Sequence, residues 1–162
     1  HDIALPLLRA RGLGADFFVL SGRIGQPGSL DPGQILAMQA AGMRIGSHGI
    51  GHRDLRRLPD AELAEELGAS RRALEALCGR PVSAFSIPFS AYDRRVLKAV
   101  RAAGYAEVYT SDRGWMRQDR FLRPRTTLSA GMGLREIDDI LAVRLSPMSW
   151  LRRSLRMARQ QW

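Results

Sequence analysis

Two histidines four residues apart are the strongest chemical signal in this sequence. His48 and His52 are two of the three histidines among 162 residues, and they follow an apolar run that ends at Gly46. Two imidazoles on one short segment supply half of a tetrahedral metal shell. The spacing therefore predicts a divalent-metal site whose other ligands come from elsewhere. The alternative is a pair that merely packs or is solvated on one face of a helix.

Glycines around the pair favour the metal site over that alternative. Gly46, Gly49 and Gly51 are interleaved with the histidines, and such a density of glycine is unfavourable inside a helix. We therefore expect a tight turn that leaves a strand. Binding and catalytic residues lie disproportionately on turns of this kind.

The elements that must position this turn alternate between helix and strand. Apolar periodicity and capping residues predict helices at residues 2–11, 32–41, 59–78, 92–103 and 134–143, and strands at residues 16–20, 43–46, 84–87, 106–110 and 125–128. Short links between these elements predict one α/β domain with parallel strands, as an open sheet or a barrel. In such folds the functional residues gather at the carboxyl ends of the strands, where the histidine pair falls.

The helix at residues 59–78 combines an apolar stripe with an acidic first half. Four leucines recur at helical spacing, and acidic residues, Glu66 among them, lie toward its start. We interpret these acids as residues that the helix dipole favours at an amino terminus.

Composition limits the partners of the chain. The formal net charge is +9, and Lys98 is the only lysine among 25 basic residues. Such an arginine bias fits either the base composition of a genome or an anionic partner. The basic residues are scattered along the chain except in the C-terminal segment, and this scattering does not favour nucleic-acid binding. The single cysteine, Cys78, excludes an internal disulfide.

The ends of the sequence carry two further expectations. The chain does not begin with methionine and has neither a signal peptide nor 18 consecutive apolar residues, so we expect a fragment or a processed form and leave bacterial cytoplasm or cell envelope open. Residues 146–162 read as a basic amphipathic helix that follows a domain at residues 1–145. This helix is expected to pack on the domain or to lie on an anionic membrane surface, and we favour packing.

Several ordered motifs make the sequence similar to the polysaccharide deacetylase family, also called the NodB-homology domain or carbohydrate esterase family 4. Residues 46–52 match its histidine motif, and Pro88 with Phe89 matches a Pro-aromatic motif. The matching segments are residues 4–12, 15–19, 46–52, 88–89, 91–96, 103–105 and 110–114.

This resemblance implies a fold, an activity and a set of site residues. The fold is a distorted (β/α) barrel that here misses its first strand. The activity is metal-dependent removal of N- or O-acetyl groups from a polysaccharide, with zinc as the usual metal. His48 and His52 take the ligand positions, and Pro88 and Phe89 shape the groove for substrate. Arg125 lies where many relatives have an arginine after a proline-rich turn, and it is expected either to contact the site or to form a salt bridge at the surface.

Three departures from the family pattern leave a second function possible for this chain. The aspartate motif with the third ligand and the base would precede residue 1, and Ser86 stands where an arginine is often found. No histidine follows His52 to supply the catalytic acid, so the sequence identifies no catalytic base or acid. The alternative function is a catalytically impaired carbohydrate-binding pseudoenzyme.

Overall fold

The chain folds into one layer of parallel strands covered by helices. A computed structural model describes residues 1–113 and 120–142. The helices are α1 (Ala4–Ala10), α2 (Pro32–Ala40), α3 (Asp60–Cys78), α4 (Arg94–Ala102) and α5 (Leu134–Leu141), and the strands are β1 (Asp16–Val19), β2 (Arg44–Ser47), β3 (Ala84–Ser86), β4 (Glu107–Thr110) and β5 (Leu122–Pro124). Short 3₁₀ turns lie at Ser21–Arg23, Leu55–Arg57 and Pro88–Ser90. The predicted helix at residues 146–162 lies outside the described residues.

The strands follow one another across the sheet in chain order, β1-β2-β3-β4-β5, and every neighbouring pair is parallel. This is the order of a (β/α) barrel, because an open doubly wound sheet reverses its strand order partway. The predicted α/β fold is thereby confirmed. All carboxyl ends of these strands lie at one edge.

Local signals explain where the helices begin and end. Asp31 and Gln34 form a reciprocal capping box at the start of α2, and Asp93 accepts a hydrogen bond from the Val96 amide at the start of α4. Gly79 ends α3 in the left-handed conformation, with φ of 63°. Asp31 and Asp93 thus mark where α2 and α4 begin, and Gly79 marks where α3 ends.

The two faces of the sheet differ in character. Buried apolar side chains of the strands and of α2, α3 and α4 form the core on the helix side, including Ile35, Met38, Leu67, Phe85, Val96 and Val108. The strand register places Asp16 opposite Arg44 and Tyr109 opposite Arg123 on the other face. Because side chains alternate along a strand, this inner face is polar and charged while the helix side is apolar.

The fifth strand is not where the sequence predicted it. The prediction was residues 125–128, whereas β5 is Leu122–Pro124 and pairs with Val108–Thr110. Two threonines at 126 and 127 made the later segment look like a strand by β-propensity, but pairing with β4 decided the outcome. Arg125 therefore follows the carboxyl end of a strand. No helix of the described residues is long and apolar enough to cross a membrane.

Candidate metal centre

The two histidines leave the carboxyl end of β2 together. Ser47 is the last residue of the strand, and the rings of His48 and His52 are 4.8 Å apart between centroids at an interplanar angle of 64°. We call residues 47–52 the histidine turn. The prediction that a tight turn brings the two imidazoles together is confirmed, and the alternative of two histidines on a helical face does not apply.

A hydrogen bond fixes the orientation of His48. Its Nδ1 lies 2.7 Å from the carbonyl oxygen of Ser86, at the end of β3. Because a carbonyl only accepts, Nδ1 carries the proton and Nε2 keeps its lone pair for a ligand. Burial lowers the pKa of His48, the nearby charges of His52 and Arg125 lower it further, and the bond to Ser86 partly opposes them. The imidazole is therefore held in the neutral form that binds metals.

A buried carboxylate organises the backbone between the histidines. Oε1 of Glu66, on α3, accepts hydrogen bonds from the amides of Ile50 at 2.7 Å and Gly51 at 2.8 Å. Only 4% of Glu66 is exposed. Gly49 has φ of 88°, and a Cβ at this position would lie 2.8 Å from the same Oε1. The turn thus needs both the carboxylate and the glycine.

The role of Glu66 corrects the interpretation drawn from the sequence. The sequence placed Glu66 among the acids that a helix dipole favours, but in the structure its side chain binds the backbone of the histidine turn. A signal was available, because Glu66 lies three residues after Leu63 and four before Ser70, on the buried face of α3. An acidic residue inside an apolar stripe indicates a buried partner.

Phe89 stands beside the histidines as an exposed aromatic ring. Its centroid is 4.4 Å from that of His52 at an interplanar angle of 65°, and 65% of the residue is exposed. Pro88 is buried in the 3₁₀ turn. His52, Phe89 and Ser90 have φ of 56°, 57° and 50°, a region in which side chains are strained.

Arg125 approaches His48 through Ser86. One terminal nitrogen of Arg125 donates to the Ser86 hydroxyl oxygen at 2.6 Å, while the carbonyl of the same serine binds His48. The guanidinium lies 5.1 Å from the ring centroid of Phe18 and 5.8 Å from that of Tyr109. Ser86, which the sequence marked only as a departure from the family pattern, therefore contacts both Arg125 and His48.

The histidines fit part of a metal shell. Two imidazoles, one of them with an oriented Nε2, suit zinc and related divalent ions. Within residues 1–113 and 120–142, no group of three or more His, Cys, Asp or Glu side chains could hold a metal ion. Among the described residues, His48 and His52 are therefore two candidate ligands, and a full metal shell would need other donors.

Comparisons with known proteins point in one direction. The family model of polysaccharide deacetylases matches residues 2–108. YxkH of Bacillus subtilis (strain 168), a protein named for the same family, is 28% identical over 134 residues, which are 82% of this chain and 48% of that protein. The chain thus spans about half the length of this curated relative.

Solved structures share the fold. The Streptococcus pyogenes deacetylase PplD, described in complex with acetate, superposes with a TM-score of 0.80 at 20% identity, over 90% of this chain and 65% of that one. A pseudoenzyme of carbohydrate esterase family 4 from Bacillus anthracis, BA3943, gives a TM-score of 0.57 at 21% identity, over 64% of this chain and 36% of that one. At these identities the likeness extends to the fold alone.

Proposed function

The chain belongs to the polysaccharide deacetylase family, and on that premise we propose that it serves a metal-dependent hydrolase that removes N- or O-acetyl groups from a polysaccharide. The observation that carries the proposal is the histidine turn, in which His48 and His52 meet at the carboxyl end of β2 with one imidazole oriented by Ser86. The proposed cofactor is a divalent metal, with zinc as the first candidate.

Each residue of the site has a proposed part. His48 and His52 hold the metal, which when bound lowers the pKa of a water molecule and polarises a carbonyl group. Glu66 keeps the turn in shape by binding its amides. Phe89 offers an exposed apolar ring on which a sugar can lie, and buried Pro88 shapes the turn beneath it.

A second candidate is a carbohydrate-binding pseudoenzyme with the same fold. It is supported by the existence of a pseudoenzyme among proteins of similar fold. Such a protein would bind the acetylated glycan without releasing acetate.

Acetate release separates the two candidates. The assay offers N-acetylated chito-oligosaccharides and O-acetylated xylan to the protein after chelation and after addition of Zn²⁺. The hydrolase proposal expects acetate only with metal, and none from His48→Ala. Glycan binding without acetate in every metal condition would favour the pseudoenzyme instead.

A further inference from the structure

The last described helix, α5, carries an apolar stripe that lies outside the hydrophobic core. Leu134 is 81% exposed. Ile137 and Ile140 follow it at three-residue steps, are only partly buried, and do not belong to the core cluster. Apolar residues at this spacing lie on one face of a helix. The stripe is therefore one half of a helix–helix interface.

The polar side of α5 is acidic. Glu136, Asp138 and Asp139 are exposed, and within residues 1–113 and 120–142 the carboxylates of Asp138 and Asp139 form neither a hydrogen bond nor an ion pair. Asp138 borders the apolar stripe, because it comes one residue after Ile137 and four after Leu134. A partner for this face should combine apolar side chains with positive charge.

The segment of the chain that follows α5 has this composition. Residues 143–162 contain five arginines and no acidic residue, which is more than half of the formal net charge of +9. The segment lies outside the described residues, and its sequence predicts the amphipathic helix at 146–162. The apolar stripe of that helix consists of Met148, Leu151, Leu155, Ala158 and Trp162. Arg152 and Arg159 border this stripe as Asp138 borders the stripe of α5, one residue after one member and four after another.

A short link allows the two stripes to meet as an antiparallel pair. Residues 142–145 separate α5 from residue 146, and links of about 2–8 residues commonly join antiparallel helices. Aligning the stripes in that direction places Leu155 opposite Leu134 and Arg152 beside Asp138. Antiparallel helices also bring the same flank of each stripe together, so this aspartate and this arginine meet at the border of one apolar seam.

Charge distinguishes α5 from a second exposed apolar face, which lies on α1. Ile3 is 77% exposed and Leu7 is 50% exposed there. The neighbouring exposed charges on that helix end are the cations Arg9 and Arg11. An arginine-rich segment is repelled by these cations and attracted by the acids of α5.

We propose that residues 146–162 form a helix that docks on the apolar face of α5, with Asp138 and Arg152 as an ion pair at its border. The docked helix covers Leu134 and Ile137, which are otherwise left outside the core. It makes the basic C-terminal segment part of the domain instead of a free cationic tail. This docking depends neither on the metal centre nor on the proposed hydrolase activity.

Hydrogen exchange of the α5 amides, measured by mass spectrometry on the full chain, tests this docking. Leu155→Gln is expected to speed their exchange at least about 10-fold, because it removes an apolar side chain from the seam. Arg153→Gln is the matched control, since Arg153 belongs neither to the stripe nor to its border, and it should leave the exchange rate unchanged. Asp138→Arg should speed the exchange about 3-fold, and adding Arg152→Asp should restore the wild-type rate.

Three results would overturn this inference. One is α5 exchange at the same rate in the wild type and in Leu155→Gln. Another is fast exchange in Asp138→Arg that the added Arg152→Asp does not slow. The third comes from the same measurement with phosphatidylglycerol vesicles, because protection of residues 146–162 that appears only with vesicles would assign the segment to an anionic membrane.

Discussion

At the scale of single residues, the site depends on a carboxylate that touches no ligand. Glu66 accepts two backbone amides of the histidine turn from the buried face of α3. Without an acceptor there, two donors would be left unpaired in the interior, and each such group costs about 1–3 kcal/mol. Glu66 therefore positions His48 and His52 by holding the backbone between them.

We expect Glu66→Leu, which removes the acceptor, to lower zinc affinity about 10-fold or more, as is usual when a supporting residue of a metal ligand is lost, and to lower the free energy of unfolding by about 1–3 kcal/mol. Isothermal titration with Zn²⁺ and urea denaturation measure the two effects. Glu65→Leu is the control, since Glu65 is the neighbouring exposed acid of α3. Equal behaviour of the two variants would remove the positioning role of Glu66.

Phe89 gives a second prediction at this scale. If its exposed ring is a platform for the sugar, Phe89→Ala should raise KM with little change in kcat, because the contact is the same before and during the reaction. Steady-state kinetics with acetylated chito-oligosaccharides measure both constants. A fall in kcat with unchanged KM would instead indicate that Phe89 orients His52.

At the scale of elements, the histidine turn needs a backbone that only glycine adopts easily. Gly49→Ala is expected to lower the free energy of unfolding by about 1–3 kcal/mol, because it adds strain at positive φ and places a Cβ against Glu66. Gly25→Ala separates the two causes, since Gly25 has φ of 78° and nothing within 4 Å of an added Cβ. Urea denaturation should show the smaller loss for Gly25→Ala, and equal losses would dismiss the contact with Glu66.

Local signals allowed much of the fold to be predicted from sequence. The predicted helices at 32–41 and 59–78 agree with α2 and α3 within one residue at each end, because caps and glycines are encoded next to the elements they terminate. The position predicted for the fifth strand was wrong, because its pairing with β4 is a long-range contact that local β-propensity does not reflect. Boundaries set by a distant partner are not visible in a local pattern.

In the candidate site, too, local features were predictable from sequence and long-range contacts were not. The histidine pair was predictable because its spacing and its glycines lie in one short segment. Glu66 was missed as a partner, because its acceptor role depends on α3 packing against a loop 15 residues earlier. The link from Arg125 through Ser86 to His48 joins β5, β3 and the histidine turn, and only the assembled sheet brings these residues together.

At the scale of the whole molecule, an ion-pair network ties the inner face of the sheet together. Arg44 on β2 binds Asp16 on β1 and Glu107 on β4, and Arg123 on β5 binds Glu107. Arg44 and Arg123 also donate to the hydroxyl oxygen of Tyr109. The network links four strands beneath the proposed site.

This network makes stability depend on pH. Burial alone would raise the pKa of Asp16, but the hydrogen bonds and charge of Arg44 outweigh it, so the pKa lies below its ordinary value of 3.8. A depressed carboxyl pKa stabilises the fold above the unfolded-state value, and that contribution is lost as the pH falls through the folded-state pKa. Stability should therefore decline as the pH falls below about 4.

Arg44→Gln should lower the free energy of unfolding by about 1–3 kcal/mol at neutral pH, because it removes the ion-pair partner of partly buried Asp16 and leaves Glu107 paired with Arg123 alone, and it should flatten the decline in acid. Urea denaturation at neutral pH and at about pH 3 measures both effects. Arg53→Gln is the control, since the Arg53 pair with Glu62 is half exposed, and such pairs contribute about 0–1 kcal/mol. An unchanged acid profile in Arg44→Gln would contradict the role given to Asp16.

The most direct test of the central claim is a zinc titration of the metal-free chain by calorimetry, comparing the wild type with His48→Gln, His52→Gln and the double variant. We expect one Zn²⁺ per chain in the wild type, a loss of affinity of at least about 100-fold in each single variant, and no binding in the double variant. Zinc binding that survives the loss of both His48 and His52 would contradict the assignment of the histidine turn as the metal centre.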